Sequence, residues 1–425
     1  MSHHNRILKR ISKIVPMLLL SGVGLSVSFA FGGEAEIRKA RQISNRLTGA
    51  PFSLTDSRLT SMATSIGNGQ LATAAQVATS DPGFVNNILK MFAAPMQSKN
   101  QSIRDMRPTE SMYYIMGIIR DSDDIRKILY GQDFYTNPSS SCTKPNRQYD
   151  YYGCADDYAQ DLSSTANMAV TNTRTLPLYN NVGNGSPIGE LPSADHAGIF
   201  TMRGMGASVG FAGTNRAFIA QIVNQFWCLP FSAIRSSDGD MSFIGRDVSR
   251  NPDGTTGANS TFNVQCKTCH GRMDSLRGAF AYIDGGRDLD ANGVSIRYKS
   301  ASGGVVSKYA RNSTNFPAGY VTTSNYWKAT FTPSQMAQFG WNGATEGNGV
   351  QSLAQALADS TQFYSCMVQK VAEIVCPSDP IAVENGGQQV MSQSVRDSLV
   401  NELKAHHNLK KTFQDVAVRP ECLGG

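Results

Sequence analysis

Histidine is scarce in this chain, six among 425 residues, and two of the six, His3 and His4, stand in the basic opening stretch. That leaves His196, His270, His406 and His407 for any site, beside eight cysteines that form a single C-x-x-C pair. A structural zinc site commonly draws four ligands from two such pairs, so half of it is missing. Charge is thin as well, at 17% of residues. The first thirty residues carry four basic and no acidic side chains, so without them the formal +6 falls to +2. A balance that near neutral removes the electrostatic case for a nucleic-acid partner. Nor does any Ser/His/Asp grouping, phosphate-cradling glycine loop or pair of carboxylates stand out as catalytic.

Long apolar runs are lacking too, except at the start. Arg6, Lys9, Arg10 and Lys13 precede an uncharged stretch from Ile14 through Leu18, Leu19 and Leu20 to Phe31. It is short for a bilayer span of about 20 apolar residues and is broken by Pro16 and small turn-formers. Ser28-Phe29-Ala30 supplies the small residues that a signal peptidase reads. The expectation is a signal peptide over 1–30, cut after Ala30, for an exported chain in the periplasm or at the cell surface. No stable membrane span is expected after cleavage, and no cysteine follows the run to carry a lipid.

Against these absences, 40% of the residues are hydrophobic, enough for one large core or two ordinary ones. Helical periodicity dominates, which predicts a mainly α fold. An N-terminal helical region is expected over 31–135. It includes "EIRKARQISNRLT" ending at Gly49, "TSDPGFVNNILKMFAAP", and a stripe of Met112, Ile115, Ile118 and Ile119 continued by Ile125, Ile128 and Leu129. Residues 136–190, rich in Ser, Asn, Gly and Tyr, read as a loop-rich insertion. A second helical region follows over 191–376, with Leu353, Leu357, Phe363, Met367, Val371 and Ile374 on one face near its end. A C-terminal helical region over 377–425 turns Val395, Leu399 and Leu403 inward. His406 and His407 come near that helix's end, where a histidine ordinarily serves the helix terminus.

Export gives cysteine two uses, disulfides and covalent haem. Cys142 and Cys154 flank the loop-like "CTKPNRQYDYYGC" and are the favoured pair. Cys366 and Cys376 lie ten residues apart in one helical run, about 15 Å along the axis, too far to bridge each other. Their partners and that of Cys228 and Cys422 stay open.

The remaining two cysteines stand in "NVQCKTCHGRMDSLRGAFAYID", residues 263–284. A thioredoxin-like redox pair would be expected in a βαβ setting, whereas this stretch runs into an amphipathic helix. Covalent haem needs this order of residues: Cys266 and Cys269 on one helical turn reach two vinyl groups, and His270 turns its imidazole onto the iron. One haem c is therefore expected, with His270 as proximal ligand. For the opposite face Met336 ranks first, in an irregular Pro- and Gly-punctuated loop before a long helix. His196, Met202 and Met205 compete, although Met beside Phe is ordinarily core packing. Met273 sits three residues after His270 and cannot cross the ring. Asp288, Asp290, Asn292 and Gly293 echo the first half of a calcium loop, but its twelfth position is Lys299 instead of Glu. A hairpin turn at Asn292-Gly293 is the favoured reading over calcium.

"HAGIFT", "TNR", "NQFWC", the C-x-x-C-H stretch, "LADSTQFYSCMV" and "LVNELKAHHNLKKTFQDVAVRPE" together carry a resemblance. The chain resembles exported bacterial cytochrome-c-like proteins built from paired domains of unknown function around one haem c motif. Their C-x-x-C-H-x-x-M-D-x-L-G pattern is matched through Met273-Asp274, after which Ser275 and Leu276-Arg277-Gly278 stand where those relatives usually carry Pro-Leu-Gly, and the tyrosine-bearing insertion is extra. The resemblance implies haem binding and electron transfer with periplasmic redox partner proteins, and names no substrate. Two other functions stay open: a haem enzyme with an open or displaceable distal position, peroxidase-like or oxidative, and a binding or surface module whose haem is structural.

Overall fold

The computed structural model describes residues 33–97, 110–136, 162–166, 168–171, 195–202, 205–210, 213–238, 240–248, 262, 266–285, 296–298, 304–376 and 391–423. Among them the chain is mainly helical, with three short two-stranded antiparallel ladders. The leader, Cys142, Cys154, Asp288, Asp290, Asn292, Gly293 and Lys299 lie outside the described residues.

Helix α1 (Glu34–Thr48) ends where expected: Gly49 takes a left-handed φ of 83° and its N–H caps the Asn45 carbonyl. With α2 (Ser57–Gly67) and α3 (Leu71–Thr79) it packs into a three-helix layer. A π-turn at Phe84–Leu89 leads into α4 (Lys90–Ala93). Next come α5 (Glu110–Arg120) and α6 (Lys127–Tyr130), separated by a turn with Ser122 at φ 59°. The stripe expected on α5 is wider than predicted, since every residue from Ser111 to Arg120 is buried. Arg120 is tolerated there because Asp121 pairs with it and the Leu162 and Met168 carbonyls accept from its Nη1.

The apolar face from Leu353 to Ile374 and the C-terminal stretch from Val395 onward each span two helices. Ser360 caps α11 (Thr361–Val375) by accepting from the Phe363 N–H, which separates it from α10 (Gly349–Ala358). Asn408 caps α13 (Leu409–Ala417) in the same way, after α12 (Gln393–His406) has ended at a left-handed His407. Leu353, Leu357, Phe363, Met367 and Val371 are buried as expected, while Ile374 is half-buried and Val375 takes the inner position. His406 and His407 do serve a helix end: Nδ1 of His406 accepts from the Asn408 N–H, and His407 bonds the Tyr364 hydroxyl. The chain closes with α14 (Pro420–Leu423).

One apolar cluster runs from Ala40 to Leu423, and α13 packs on α1, α3 and α5. The N-terminal and C-terminal helical regions are thus one packed body. Disulfides tie this frame: Cys228 to Cys366 (S–S 2.01 Å) and Cys376 to Cys422 (2.08 Å). Cys366 and Cys376 do not pair with each other, as the helical spacing required.

Between these helices lie α7 (Arg216–Gln221), α8 (Lys267–Arg277) and α9 (Pro333–Phe339). Helix α8 packs against α7 and against strand β5 (Tyr326–Lys328), which pairs with β6 (Glu346–Asn348). Strands β3 (Ile283–Gly285) and β4 (Ile296–Tyr298) pair antiparallel just after α8. The other ladder joins β1 (Phe134–Thr136) and β2 (Ala169–Thr171).

Candidate functional site

The C-x-x-C-H sequence forms the first turn of α8, with Cys266 at its N-cap in helical geometry (φ −84°, ψ −39°). Cys269 is three residues on, so both thiols leave the same side of the turn. Cys266 is half-buried, Cys269 is buried, and both are free thiols, whereas the other four described cysteines are in disulfides. Cys266 belongs to a small apolar cluster apart from the main core, made by Ile244, Val248 and Phe262 with Met241 and Phe316. His270 is partly exposed, at 20% of its side chain, with its ring 5.7 Å from that of Phe262.

His270 Nδ1 lies 3.2 and 3.3 Å from the two carboxylate oxygens of Asp274, one helical turn later and wholly buried. Arg216 donates to both Asp274 oxygens, at 2.6 and 2.8 Å, and the Gly245 N–H adds a bond at 2.9 Å. The same guanidinium reaches Asp247, at 2.6 and 3.0 Å. Arg277, a further turn along α8, also bonds Asp247, at 2.8 and 3.1 Å. The Thr214 hydroxyl sits among them, donating to Asp247 and accepting from both arginines. Two carboxylates and two guanidiniums therefore neutralise one another in the protein interior, which is what makes the burial of four charges tolerable.

Burial by itself would raise the Asp274 carboxyl, but the Arg216 and Arg277 charges and the bonds from Arg216 and His270 hold it well below the usual carboxylate range. Asp247 follows the same logic: burial opposes ionisation, the two arginines favour it, and its pKa is lowered to about 2. An ionised carboxylate can only accept. In the neutral imidazole the proton therefore sits on Nδ1, and Nε2 keeps its lone pair for a metal.

Position 216 is set by an unusual residue before it. Asn215 stands at a left-handed φ of 63° and its side-chain amide donates to the Phe280 and Ile283 carbonyls, at 2.7 and 2.8 Å. This anchors the start of α7 to the segment that follows α8. Gly245 is equally constrained, since a Cβ there would overlap Arg277 Nη2. Gly271 has the Met241 sulfur where its Cβ would be.

Met336 is not in an irregular loop. Pro333 at the first turn and a reciprocal Thr332/Gln335 capping box make helix α9, and Met336 lies half-buried within it against the main core. That helix is tied toward α8 in two steps. The Gln335 amide donates to the Ala233 and Arg235 carbonyls, and the Ser236 N–H to the Thr268 carbonyl inside C-x-x-C-H. Cys266, on the smaller cluster, and Met336, on the main core, thus flank different apolar bodies. His196, Met202 and Met205 are buried, with both methionines in the main core.

Sequence reasoning missed Asp274, Arg216, Asp247 and Met241. The four-residue interval from His270 to Asp274 was the one available signal, because such residues share a helix face. Among the described residues no three His, Cys, Asp or Glu side chains converge on one metal-binding point. Haem asks less of the chain, since the porphyrin brings its own nitrogens and protein supplies axial ligands. Nor does any hydrogen bond join Cys266 or Cys269 to the His270 ring among the described residues, so a Cys–His nucleophile pair is not assembled.

No family model, curated protein or solved structure matches the chain. The resemblance to exported haem c proteins accordingly rests on the quoted motifs alone.

Proposed function

We propose that this is an exported mono-haem c-type protein that passes single electrons between redox partner proteins in the periplasm or at the cell surface. One observation carries the reading. The two unpaired thiols and the imidazole of C-x-x-C-H share one helical turn, and that imidazole is held through Nδ1 with Nε2 left to ligate. When bound, haem supplies a reversible one-electron iron couple. Cys266 and Cys269 would form its thioether links, His270 would be its proximal ligand, and Ile244, Val248 and Phe262 would exclude water beside it. The two disulfides, and the lack among the described residues of a helix long and apolar enough to cross a membrane, accord with export.

A haem enzyme with an open distal position is the second reading. The carboxylate at His270 Nδ1 favours it, because such a partner makes the imidazole a stronger donor to a metal.

The test is covalent attachment. Expressed with a haem c maturation system, the full chain should keep its haem stain through denaturing electrophoresis. Cys266→Ala combined with Cys269→Ala should remove the stain. An unstained parent chain, or stain that survives the double substitution, overturns the reading.

A further inference from the structure

We infer that Asp274 is a positioning residue for His270, which it locks by one hydrogen bond into the Nδ1–H form and thereby biases an attached haem toward its ferric state. The inference rests on the proposed function and goes beyond it, because it assigns to a named residue a lowering of the site's reduction potential.

The surroundings of Asp274 support this role. A buried carboxylate needs enough donors to offset its desolvation, and Arg216 and Gly245 already provide three bonds, with Arg277 Nε a further 3.9 Å away. Charge neutrality is complete with Arg216, Arg277 and Asp247. The contact to His270 is additional to what the ion cluster requires. The cluster also determines where the carboxylate can go. Arg216 grips both oxygens in a fork, and it is itself held by Asp247 and Thr214. Asp274 therefore cannot swing away from the imidazole without breaking that fork.

A carboxylate at Nδ1 raises the electron density of the ring and strengthens its donation through Nε2. The more positive iron gains most from such a donor, so ferric haem is favoured over ferrous. The balanced change is the addition of one electron from an external reductant to the ferric centre, with no bond made or broken in the protein. Loss of partners of this kind typically costs about 10- to 100-fold in metal affinity or activity, and a roughly tenfold preference between the two oxidation states is the scale adopted for the test. The lower figure corresponds to ~59 mV for a one-electron couple.

The experiment uses the full chain matured with haem. Spectroelectrochemical titration of Asp274→Asn should show the reduction equilibrium moved about tenfold toward ferrous haem relative to the parent. Asp247→Asn removes a carboxylate from the same cluster without touching His270 and should move it much less. An equal shift in both variants would reduce Asp274 to one charge among others and overturn the inference. So would an unshifted Asp274→Asn that still carries covalent haem, an outcome that leaves the proposed function standing. A second measurement needs no variant: in the reduced parent labelled with ¹⁵N-histidine, the His270 Nδ1 proton should be seen by NMR and exchange slowly with water. Exchange as fast as that of free imidazole overturns the inference even if Asp274→Asn fails to fold.

Discussion

The Arg216 guanidinium bridges Asp247 and Asp274, two carboxylates 27 residues apart in sequence, with contacts of 2.6 Å to each. Through Asp274 it also supports His270. Together with Arg277 and Asn215 it ties the loop before α8 and the start of α7 to the C-x-x-C-H helix.

Replacing Arg216 should be costly for that reason. Arg216→Met leaves two buried carboxylates with Arg277 alone, and removal of one partner from a buried ion cluster costs about 3–5 kcal/mol. Arg216→Lys should recover little, because an ammonium cannot reproduce the planar fork that engages both carboxylates. Urea unfolding of the three proteins measures this, and a loss below 1 kcal/mol in Arg216→Met would show the cluster to be unimportant to the fold.

Acid should act on the same cluster. Asp247 has a pKa lowered to about 2 in the folded chain, against ~3.9 unfolded. Its contribution is therefore complete above the unfolded value and is lost as pH falls through about 2. The amount is on the order of 2 kcal/mol, and Asp274, lowered in the same direction, adds to it. The denaturant midpoint should fall between pH 5 and pH 3. In Asp247→Asn the decline should be smaller, and an unchanged acid slope would exclude Asp247 as its source.

Disulfide mapping checks the frame. Non-reducing digestion should join the peptides of Cys228 and Cys366, and of Cys376 and Cys422, with Cys266 and Cys269 in neither. The sequence expectation adds a Cys142–Cys154 link. Cys228→Ser with Cys366→Ser opens a loop of 138 residues, for a loss of about 2–5 kcal/mol. A crosslink between Cys366 and Cys376 would contradict the packing of α11.

What was legible in the sequence is what depends on local spacing. Gly49 as a helix stop, the helical start at Cys266 and the buried faces around Leu353 and Leu399 follow from short-range periodicity. Breaks at Ser360 and Asn408 were signalled by capping residues, yet the apolar stripe runs on through both, so the pattern read as continuous helix. Pro333 and Gly340 punctuate the Met336 stretch as they would a loop, yet proline is favourable at a helix start. The Arg216 and Asp247 pairing had no local signal. It joins residues that only tertiary packing brings together, and a charged residue before an apolar run ordinarily marks a solvated face.

If the chain carries the proposed haem, the residue at its second axial position would decide between carrier and enzyme; the sequence expectation is Met336, which lies in helix α9 against the main core and not in the loop expected for it. Its helix is linked to Thr268 through Gln335 and the 233–236 segment. A thioether ligand gives ferric haem a weak band in the far red, and soft sulfur favours ferrous iron. Met336→Ala should abolish that band and open the iron to carbon monoxide. Met202→Ala and Met205→Ala, in the main core, should leave the band in place. Met241→Ala should also leave it, since that sulfur packs on Gly271 next to His270. Stopped-flow mixing of the unaltered reduced protein with carbon monoxide completes the test. Slow binding limited by ligand dissociation identifies a carrier, and rapid binding in proportion to gas concentration identifies a vacant iron and the enzyme reading.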